Sequence, residues 1–264
     1  MEAILTDPTA LPKASPIPDI HDLGLDDISA SLRSGWSDFC AAPLFGIFFS
    51  SVYVIGGWVM YFIYYEAGEI WWGIPFVVGF PLIAPFAAVG LYEVSRQMEQ
   101  NRKPDWGSVL GLVFAERNRQ VPWVGALIMF WFMFWVFIAH TIFAIVMGLS
   151  AMENAPNVLD LFVTKQGLIL LTLEMGLGAF FAFVVYVVTA VGLPLLLDRE
   201  IDFVTAMIVS TQAVFQNFVP MLIWAFIIAT MMFLGMILGF LGLLVVLPVL
   251  GHATWHIYRR ILSQ

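Results

Sequence analysis

Charged residues and cysteine are both scarce in this sequence. Charged residues make up 11% of the 264 positions and hydrophobic residues 61%, whereas a soluble domain carries roughly 25% charged residues. This composition excludes an ordinary soluble domain and indicates a membrane protein. Cys40 is the only cysteine, so the sequence offers neither an intrachain disulfide nor a cysteine-rich metal site.

Recognisable catalytic and nucleic-acid-binding motifs are missing as well. The sequence contains no phosphate-binding loop, nucleophile elbow or zinc-protease motif. It has no dense basic stripe outside the turn at residues 96–103, so nucleic acid is not an expected partner. The first 30 residues are polar and acidic without an apolar segment, so no cleavable signal peptide is expected. We therefore expect a protein that is not an enzyme and that carries no cofactor.

Lysine and arginine are nearly absent from alternate gaps between the long apolar runs. About 20 apolar residues are needed for a helix to cross the hydrocarbon core. The candidate spans are 43–65, 70–92, 122–149, 167–195, 219–236 and 238–258. Of the 11 Lys and Arg residues, only Lys165 falls in the alternate gaps. Because cytoplasmic loops collect Lys and Arg, the sequence predicts an all-α membrane protein with six transmembrane helices and both termini inside.

The polar N-terminal stretch differs from the rest of the chain. Residues 1–23 are acidic and proline-rich, which predicts a disordered cytoplasmic arm before a six-helix transmembrane domain at 24–264. Residues 24–40 follow helical spacing and predict a helix that lies at the membrane interface. The apolar side chains expected to share one face of this helix are Leu25, Ile28, Leu32, Trp36 and Phe39.

An acidic residue followed 16 to 18 positions later by a proline occurs before three of the apolar runs. The acidic residues are Asp27, Asp105 and Asp202, and the prolines are Pro43, Pro122 and Pro220. An acidic residue favours the N-terminus of a helix, and proline favours the first turn of the next. The pattern predicts three repeated units, each a cytoplasmic surface helix followed by a helical hairpin. Their approximate bounds are 24–92; 104–149 with the outer loop 150–166 and the span 167–197; and 202–260.

His140 and Glu174 form a candidate polar pair inside the membrane. His140 lies nine residues before Leu149 and Glu174 lies seven residues after Gly167, so antiparallel neighbouring helices would place them at similar depth. A carboxylate at that depth is costly unless it is paired. Two interpretations stay open: a buried contact that fixes helix packing, and a path for protons or ions.

His252 and His256 are four positions apart in the last apolar run, so a helix places both on one face. This spacing suits a metal or haem ligand pair. No third ligand is evident, although Glu93 and Asp198 are acidic residues able to approach. The neighbouring aromatic and basic residues are also typical of an interfacial anchor. The sequence therefore favours anchoring or packing without a bound metal, with ligation as the alternative.

Three segments carry a resemblance to a known family. They are SGWSDF at 34–39, GLPLLLDREID at 192–202 and LPVLGHATWHIYR at 247–259. Over nearly the whole chain beyond the N-terminal arm, the sequence resembles the DUF2189 family of bacterial integral membrane proteins. The resemblance implies a multi-pass protein of the bacterial cytoplasmic (inner) membrane without an established activity. Some members carry a provisional cytochrome c oxidase label, but a haem–copper oxidase subunit needs more histidine ligands than the four histidines present here.

Extensive apolar and aromatic surface without a convergent reactive site favours a non-enzymatic accessory, assembly or scaffold factor. Its expected partners are the lipid bilayer and another membrane protein, with a respiratory complex as the candidate that the family label implies. The alternative is a small transporter or channel that uses His140 and Glu174 and therefore needs a water-accessible cavity reaching both. A third hypothesis is a helical enzyme with a metal at His252 and His256.

Overall fold

The structure is a computed structural model that describes residues 18–67, 84–116, 119–148 and 158–262. Within these ranges the chain is helical, and its only strand-like pairing is an isolated bridge between Ile20 and Leu262. This confirms the all-α prediction. In chain order the helices are α1 (Leu25–Ala41), α2 (Pro43–Ala67), α3 (Ala84–Glu99), α4 (Trp106–Glu116), α5 (Val121–Met147), α6 (Val158–Val163), α7 (Lys165–Thr189), α8 (Gly192–Asp198), α9 (Phe203–Gln216), α10 (Phe218–Ile237) and α11 (Leu243–Ile261).

Helical stretches long and apolar enough to cross a membrane coincide with four of the predicted spans. They are Pro43–Phe62, Val121–Met147, Lys165–Asp198 and Phe218–Ile237. The predicted span 70–92 lies mostly outside the described residues, which resume at Ala84. The predicted span 238–258 corresponds to a turn followed by α11, and that helix is not among the four stretches. The structure thus shows several membrane-spanning candidates, while six spans and the orientation stay predictions.

Helix α11 lies at the centre of the fold, against α1, α2, α3 and α10. A Cβ atom at Gly35 of α1 would lie 2.6 Å from the backbone nitrogen of Ala253 and 2.7 Å from the carbonyl oxygen of Val249. These are backbone atoms that no rotamer change can move, so only glycine allows α1 to approach α11 this closely.

The buried face of α1 differs in part from the predicted one. Its buried residues are Ile28, Ser31, Gly35 and Phe39. Of the predicted apolar face, Ile28 and Phe39 are thus buried against the protein, whereas Leu25 and Trp36 are 58% and 53% exposed. That this helix lies at the membrane interface stays a prediction.

The turn between α10 and α11 occupies residues 238–242, close to the boundary between the predicted spans 219–236 and 238–258. Gly239 and Phe240 both have positive φ angles, of 63° and 65°. A Cβ atom at Gly242 would lie 2.7 Å from Cα of Gly235, so the two helices touch backbone to backbone at this turn. We call this end of the molecule the hairpin end, and the opposite end, where α3, α8 and α11 finish, the charged end.

The segment before α1 is fastened to the charged end by backbone and side-chain hydrogen bonds. The backbone nitrogen of His21 donates to the carbonyl of Ile261 at 2.8 Å. The backbone nitrogen of Leu23 donates to Oδ1 of Asn217 at 2.6 Å, and Nδ2 of Asn217 donates to the carbonyl of His21 at 3.0 Å. Residues 1–17 of the predicted arm lie outside the described residues, whereas residues 18–23 are held against α10 and α11.

Candidate functional site

A hydrogen-bonded chain of four polar side chains joins α1, α3 and α11. Oγ of Ser95 donates to Oδ2 of Asp38 at 2.7 Å. Nδ1 of His252 lies 2.8 Å from the same hydroxyl, and Nε2 of His256 lies 2.9 Å from Oδ2 of Asp38. We call these four residues the Asp38 network. Both histidines singled out in the sequence belong to this network. His252 and His256 share one face of α11 but form hydrogen bonds with different partners.

The proton positions in the Asp38 network follow from the donors available. The single hydroxyl hydrogen of Ser95 goes to Asp38, so Ser95 must accept a hydrogen bond from Nδ1–H of His252. An ionised Asp38 has no hydrogen to give, so Nε2 of His256 carries the hydrogen in that contact. Each imidazole therefore has a defined proton-bearing nitrogen, which orients the ring.

The Asp38 network is largely shielded from solvent. Ser95 and His252 are fully buried, and the side chains of Asp38 and His256 retain 14% and 22% of their exposure. Burial works to raise the pKa of Asp38, but the hydrogen bonds from His256 and Ser95 outweigh it and hold that pKa below its usual value. Asp38 is therefore a carboxylate at neutral pH, and it is stabilised in that form by its partners.

The geometry of the Asp38 network supports neither a nucleophilic triad nor a metal centre. In a nucleophilic triad the imidazole lies between the hydroxyl and the carboxylate, whereas here the hydroxyl of Ser95 lies between Asp38 and His252. Among the residues that the structure describes, no group of three or more His, Cys, Asp or Glu side chains is placed to hold a metal ion. The arrangement can orient protons and join three helices.

Ion pairs extend this joint along α11 to the charged end. Arg259 lies 2.9 Å from Oε1 of Glu99 on α3 and 3.5 Å from Oδ2 of Asp198 on α8. The hydroxyl of Tyr258 donates to the same Asp198 oxygen at 2.7 Å. Arg260 pairs with Asp27 of α1 at 2.8 Å. The predicted approach of Asp198 to α11 thus occurs at Tyr258 and Arg259 and not at the histidines.

Glu93, the other acidic residue able to approach the histidines, bonds to side chains of its own helix, α3. Its carboxylate accepts from Arg96 at 2.7 Å and from Nε2 of Gln97 at 2.6 Å. Gln97 in turn donates to the hydroxyl of Ser108 on α4 at 3.0 Å. These contacts connect α3 to α4, and they pair Glu93 with residues of its own helix and not with the histidines.

The three predicted acidic starts lie at the beginnings of α1, α4 and α9. Oδ1 of Asp202 accepts from the backbone nitrogen of Thr205 at 2.9 Å, and Oδ2 of Asp105 accepts from that of Ser108 at the same distance. Asp27 sits in the first turn of α1, where its carboxylate accepts from the backbone nitrogen of Gly24 at 2.8 Å. Hydrogen bonds to the side chain and backbone of Thr205 lower the pKa of Asp202. These roles are helix capping.

His140 lies on α5 and Glu174 on α7, and these two helices pack on each other. Toward the charged end, the rings of Trp135 and Phe181 lie 5.5 Å apart between them. Toward the hairpin end, a second buried cluster consists of Phe143, Leu161 and Leu170. Nδ1 of His140 donates to the carbonyl oxygen one turn earlier, at 2.7 Å. The direct His140–Glu174 contact stays a prediction, placed between two packed apolar layers.

Sequence reasoning missed Asp38 and Ser95 as site residues. Asp38 lies in the segment 34–39 that carries the family resemblance, so a signal existed, but nothing in that segment named its partner. Ser95 sits among the polar residues at the end of α3 with no pattern that distinguishes it. The three resembling segments meet in space, because Asp38 contacts His256 and Asp198 contacts Tyr258.

A family described as "Predicted integral membrane protein (DUF2189)" matches residues 73–198. The match confirms the resemblance and includes α8, but it does not extend to the segments 34–39 and 247–259. No curated protein and no solved structure matches the chain.

Proposed function

We propose that this integral membrane protein, whose residues 73–198 match the DUF2189 family, is a non-enzymatic accessory, assembly or scaffold factor of the bacterial inner membrane. The observation that carries the proposal is that charged groups at the charged end pair with one another. Glu99 pairs with Arg259, Asp27 with Arg260, and Asp38 with His256. These pairs connect α1 and α3 to α11 and keep the charged side chains engaged within the protein.

The outward surface supports a role in contacting other membrane components. The apolar stretches of α5 and α10 are only 22% and 17% buried inside the protein. Their exposed aromatics include Phe130 and Phe137 on α5, each 68% exposed, and Phe226 on α10, 71% exposed. Broad apolar faces of this kind suit lipid and the helices of a partner membrane protein.

The proposed topology has six spans with both termini in the cytoplasm, as the distribution of Lys and Arg indicates. In this arrangement α3 and α11 return the chain to the cytoplasm. Reporter fusions test it at six positions: Ala3, Glu66, Lys103, Asn157, Asp202 and Gln264. The expected locations are inside, outside, inside, outside, inside and inside, respectively. A periplasmic signal at Lys103 would overturn the orientation.

Site-directed photo-crosslinking in intact cells tests the accessory role. A photoreactive phenylalanine analogue at Phe137 or Phe226 should form adducts with one defined membrane protein. A respiratory-complex subunit is the first candidate, because the family label implies it. The matched control is the same analogue at Ile128 on α5, which is 2% exposed and should give no such adduct. If neither exposed position yields a protein adduct, the accessory role fails.

The alternative, a transporter using His140 and Glu174, is less well supported by the packing. The rings of Trp135 and Phe181 pack between α5 and α7 on the side of this pair that faces the charged end. A proton path would need polar groups through that layer. The discriminating measurement is pH-driven flux in proteoliposomes that contain the purified chain. Flux abolished by Glu174→Gln, with folding intact, would favour the transporter over the accessory factor.

A further inference from the structure

Helix α9 is apolar on two sides, and only one of these faces the protein core. Its buried residues are Ala206, Val209, Ser210, Ala213 and Val214. On the outside, Val204, Ile208 and Phe215 are 49%, 52% and 56% exposed. A helix at a water-exposed surface would carry polar residues at such positions. The exposed apolar residues therefore need a second apolar environment.

The exposed part of α9 is divided lengthwise into an apolar flank and a polar flank. At about 100° per residue, Val204, Ile208 and Phe215 fall within an arc of roughly 40°. Gln212 and Gln216, both exposed, lie next to this arc on one side. The helix thus has three flanks, one in the core, one apolar and exposed, and one polar and exposed.

The polar flank of α9 continues into a charged part of the surface. Nε2 of Gln216 donates to the carbonyl of Ile20 at 3.3 Å and lies 3.2 Å from Oδ1 of Asp22. Asp22 is exposed, and an exposed carboxylate belongs in water and not in hydrocarbon. This fixes which flank of α9 faces the aqueous phase.

Aromatic contacts join α9 to two helices that are long and apolar enough to span a membrane. The ring of Phe203 stacks on Trp123 of α5, with centroids 6.4 Å apart and planes 17° apart. At the other end, Phe215 stacks on Phe218 of α10, with centroids 6.2 Å apart and planes 3° apart. Trp123 is 63% exposed and begins an apolar span. The apolar flank of α9 therefore continues at Phe215 into the exposed surface of α10, and Phe203, beside the flank at the start of the helix, contacts α5.

We propose that α9 lies in the plane of the bilayer interface. Val204, Ile208 and Phe215 contact lipid acyl chains, and Gln212 and Gln216 lie in the hydrated headgroup layer. The occupant of the apolar flank is lipid hydrocarbon and not an anionic headgroup, because Phe203–Gln216 contains no Lys or Arg. This places the membrane boundary along α9, whichever cellular role the protein has.

Spin labels on single cysteines in the full chain, reconstituted in phosphatidylcholine vesicles, test this placement. The one native cysteine, Cys40, is exposed and is replaced in the background Cys40→Ser. Ile208→Cys and, independently, Val204→Cys are labelled on the apolar flank, and Gln212→Cys is the matched control on the polar flank. Phe226→Cys on α10 provides the reference for lipid. Each variant must elute and unfold like the Cys40→Ser parent.

Labels at positions 208 and 204 should collide more with oxygen than with a water-soluble nickel complex, as at position 226. The label at position 212 should show the opposite preference. Replacing half of the phosphatidylcholine with phosphatidylglycerol should leave both results unchanged. Nickel-dominated relaxation at both 204 and 208 would overturn the proposal, since the flank would then face water. Protection of both labels from both reagents would also overturn it, since the occupant would then be a protein or a second copy of the chain.

Discussion

The carboxylate of Asp38 and the imidazole of His256 lie 2.9 Å apart, although 218 positions separate them in the sequence. Through this contact the first described helix of the chain is bonded to the last. The hydroxyl of Ser95 adds the third helix to the same oxygen atom. One carboxylate thus joins three helices, and its contribution to the free energy of unfolding can be measured.

Replacing Asp38 by alanine should lower the free energy of unfolding by about 1–3 kcal/mol, because Ser95 and His256 would lose a buried acceptor. Asp38→Asn should cost less, since an amide oxygen can still accept from Ser95. Thermal unfolding in one mild detergent, followed by intrinsic tryptophan fluorescence, checks both values. Asp19→Asn, at an exposed position outside the helices, should leave the transition unchanged.

The contribution of Asp38 should depend on pH in a defined direction. Because its folded-state pKa is lowered, the stabilisation is present above the unfolded pKa of about 3.9 and is lost as the pH falls through the lower folded value. The stability difference between the native chain and Asp38→Asn should therefore shrink as the pH falls below about 4. A difference that stays unchanged down to the acid unfolding of the protein would show that the carboxylate is not stabilised in its charged form.

Gly35→Ala should destabilise the protein by about 1–3 kcal/mol, because the new methyl group would meet the backbone of Val249 and Ala253. The matched control is Gly111→Ala on α4, where an added Cβ has nothing within 4 Å. Alanine in a helix is favoured over glycine by about 1 kcal/mol, so the control should be neutral or stabilising. Equal effects of the two substitutions would contradict the close approach of α1 to α11.

Asp202→Ala should cost about 1 kcal/mol, since it removes the side-chain acceptor for the backbone of Thr205 at the start of α9. Asp202→Asn keeps an oxygen at the same place and should recover most of this loss. Hydrogen exchange of the first turn of α9, compared among the three proteins, measures the local effect. Faster exchange confined to this turn is the expected signature of a lost cap.

Glu174→Gln should retain a hydrogen-bonding group opposite α5 and cost little. Glu174→Ala should cost on the order of 1–3 kcal/mol if a buried contact with His140 is lost. The two unfolding transitions are compared with those of His140→Ala and the double variant. Additive costs would mean that the two side chains do not interact, whereas a coupled pair gives a smaller loss in the double variant.

The starts of several helices could be predicted from the sequence, because acidic residues and prolines mark them locally. Asp105 and Asp202 precede α4 and α9, and Pro122 and Pro220 lie in the first turns of α5 and α10. These features depend on neighbours within a few residues, so their physics can be read along the chain. The apolar length of α5, α7 and α10 was predictable for the same reason.

The Asp38 network could not be predicted because its contacts are set by the packing of distant helices. Ser95 is 57 positions from Asp38 and 157 from His252. The close approach of α1 to α11 at Gly35 could not be predicted for a related reason, since hydrophobicity ranks Trp36 above Gly35, whereas closeness of approach favours the smaller residue. The steric fit between two helices cannot be read from the sequence of either helix alone.

The central place of α11 also has a consequence for biosynthesis. Residues 243–261 leave the ribosome after α1 to α10, yet α1, α2, α3 and α10 all pack against them. Domains that fold from the N-terminus during synthesis complete each contact as the chain emerges. The surface of α1 around Gly35 therefore stays uncovered until α11 has been synthesised. The central contacts of the fold can form only after residues 243–261 have left the ribosome.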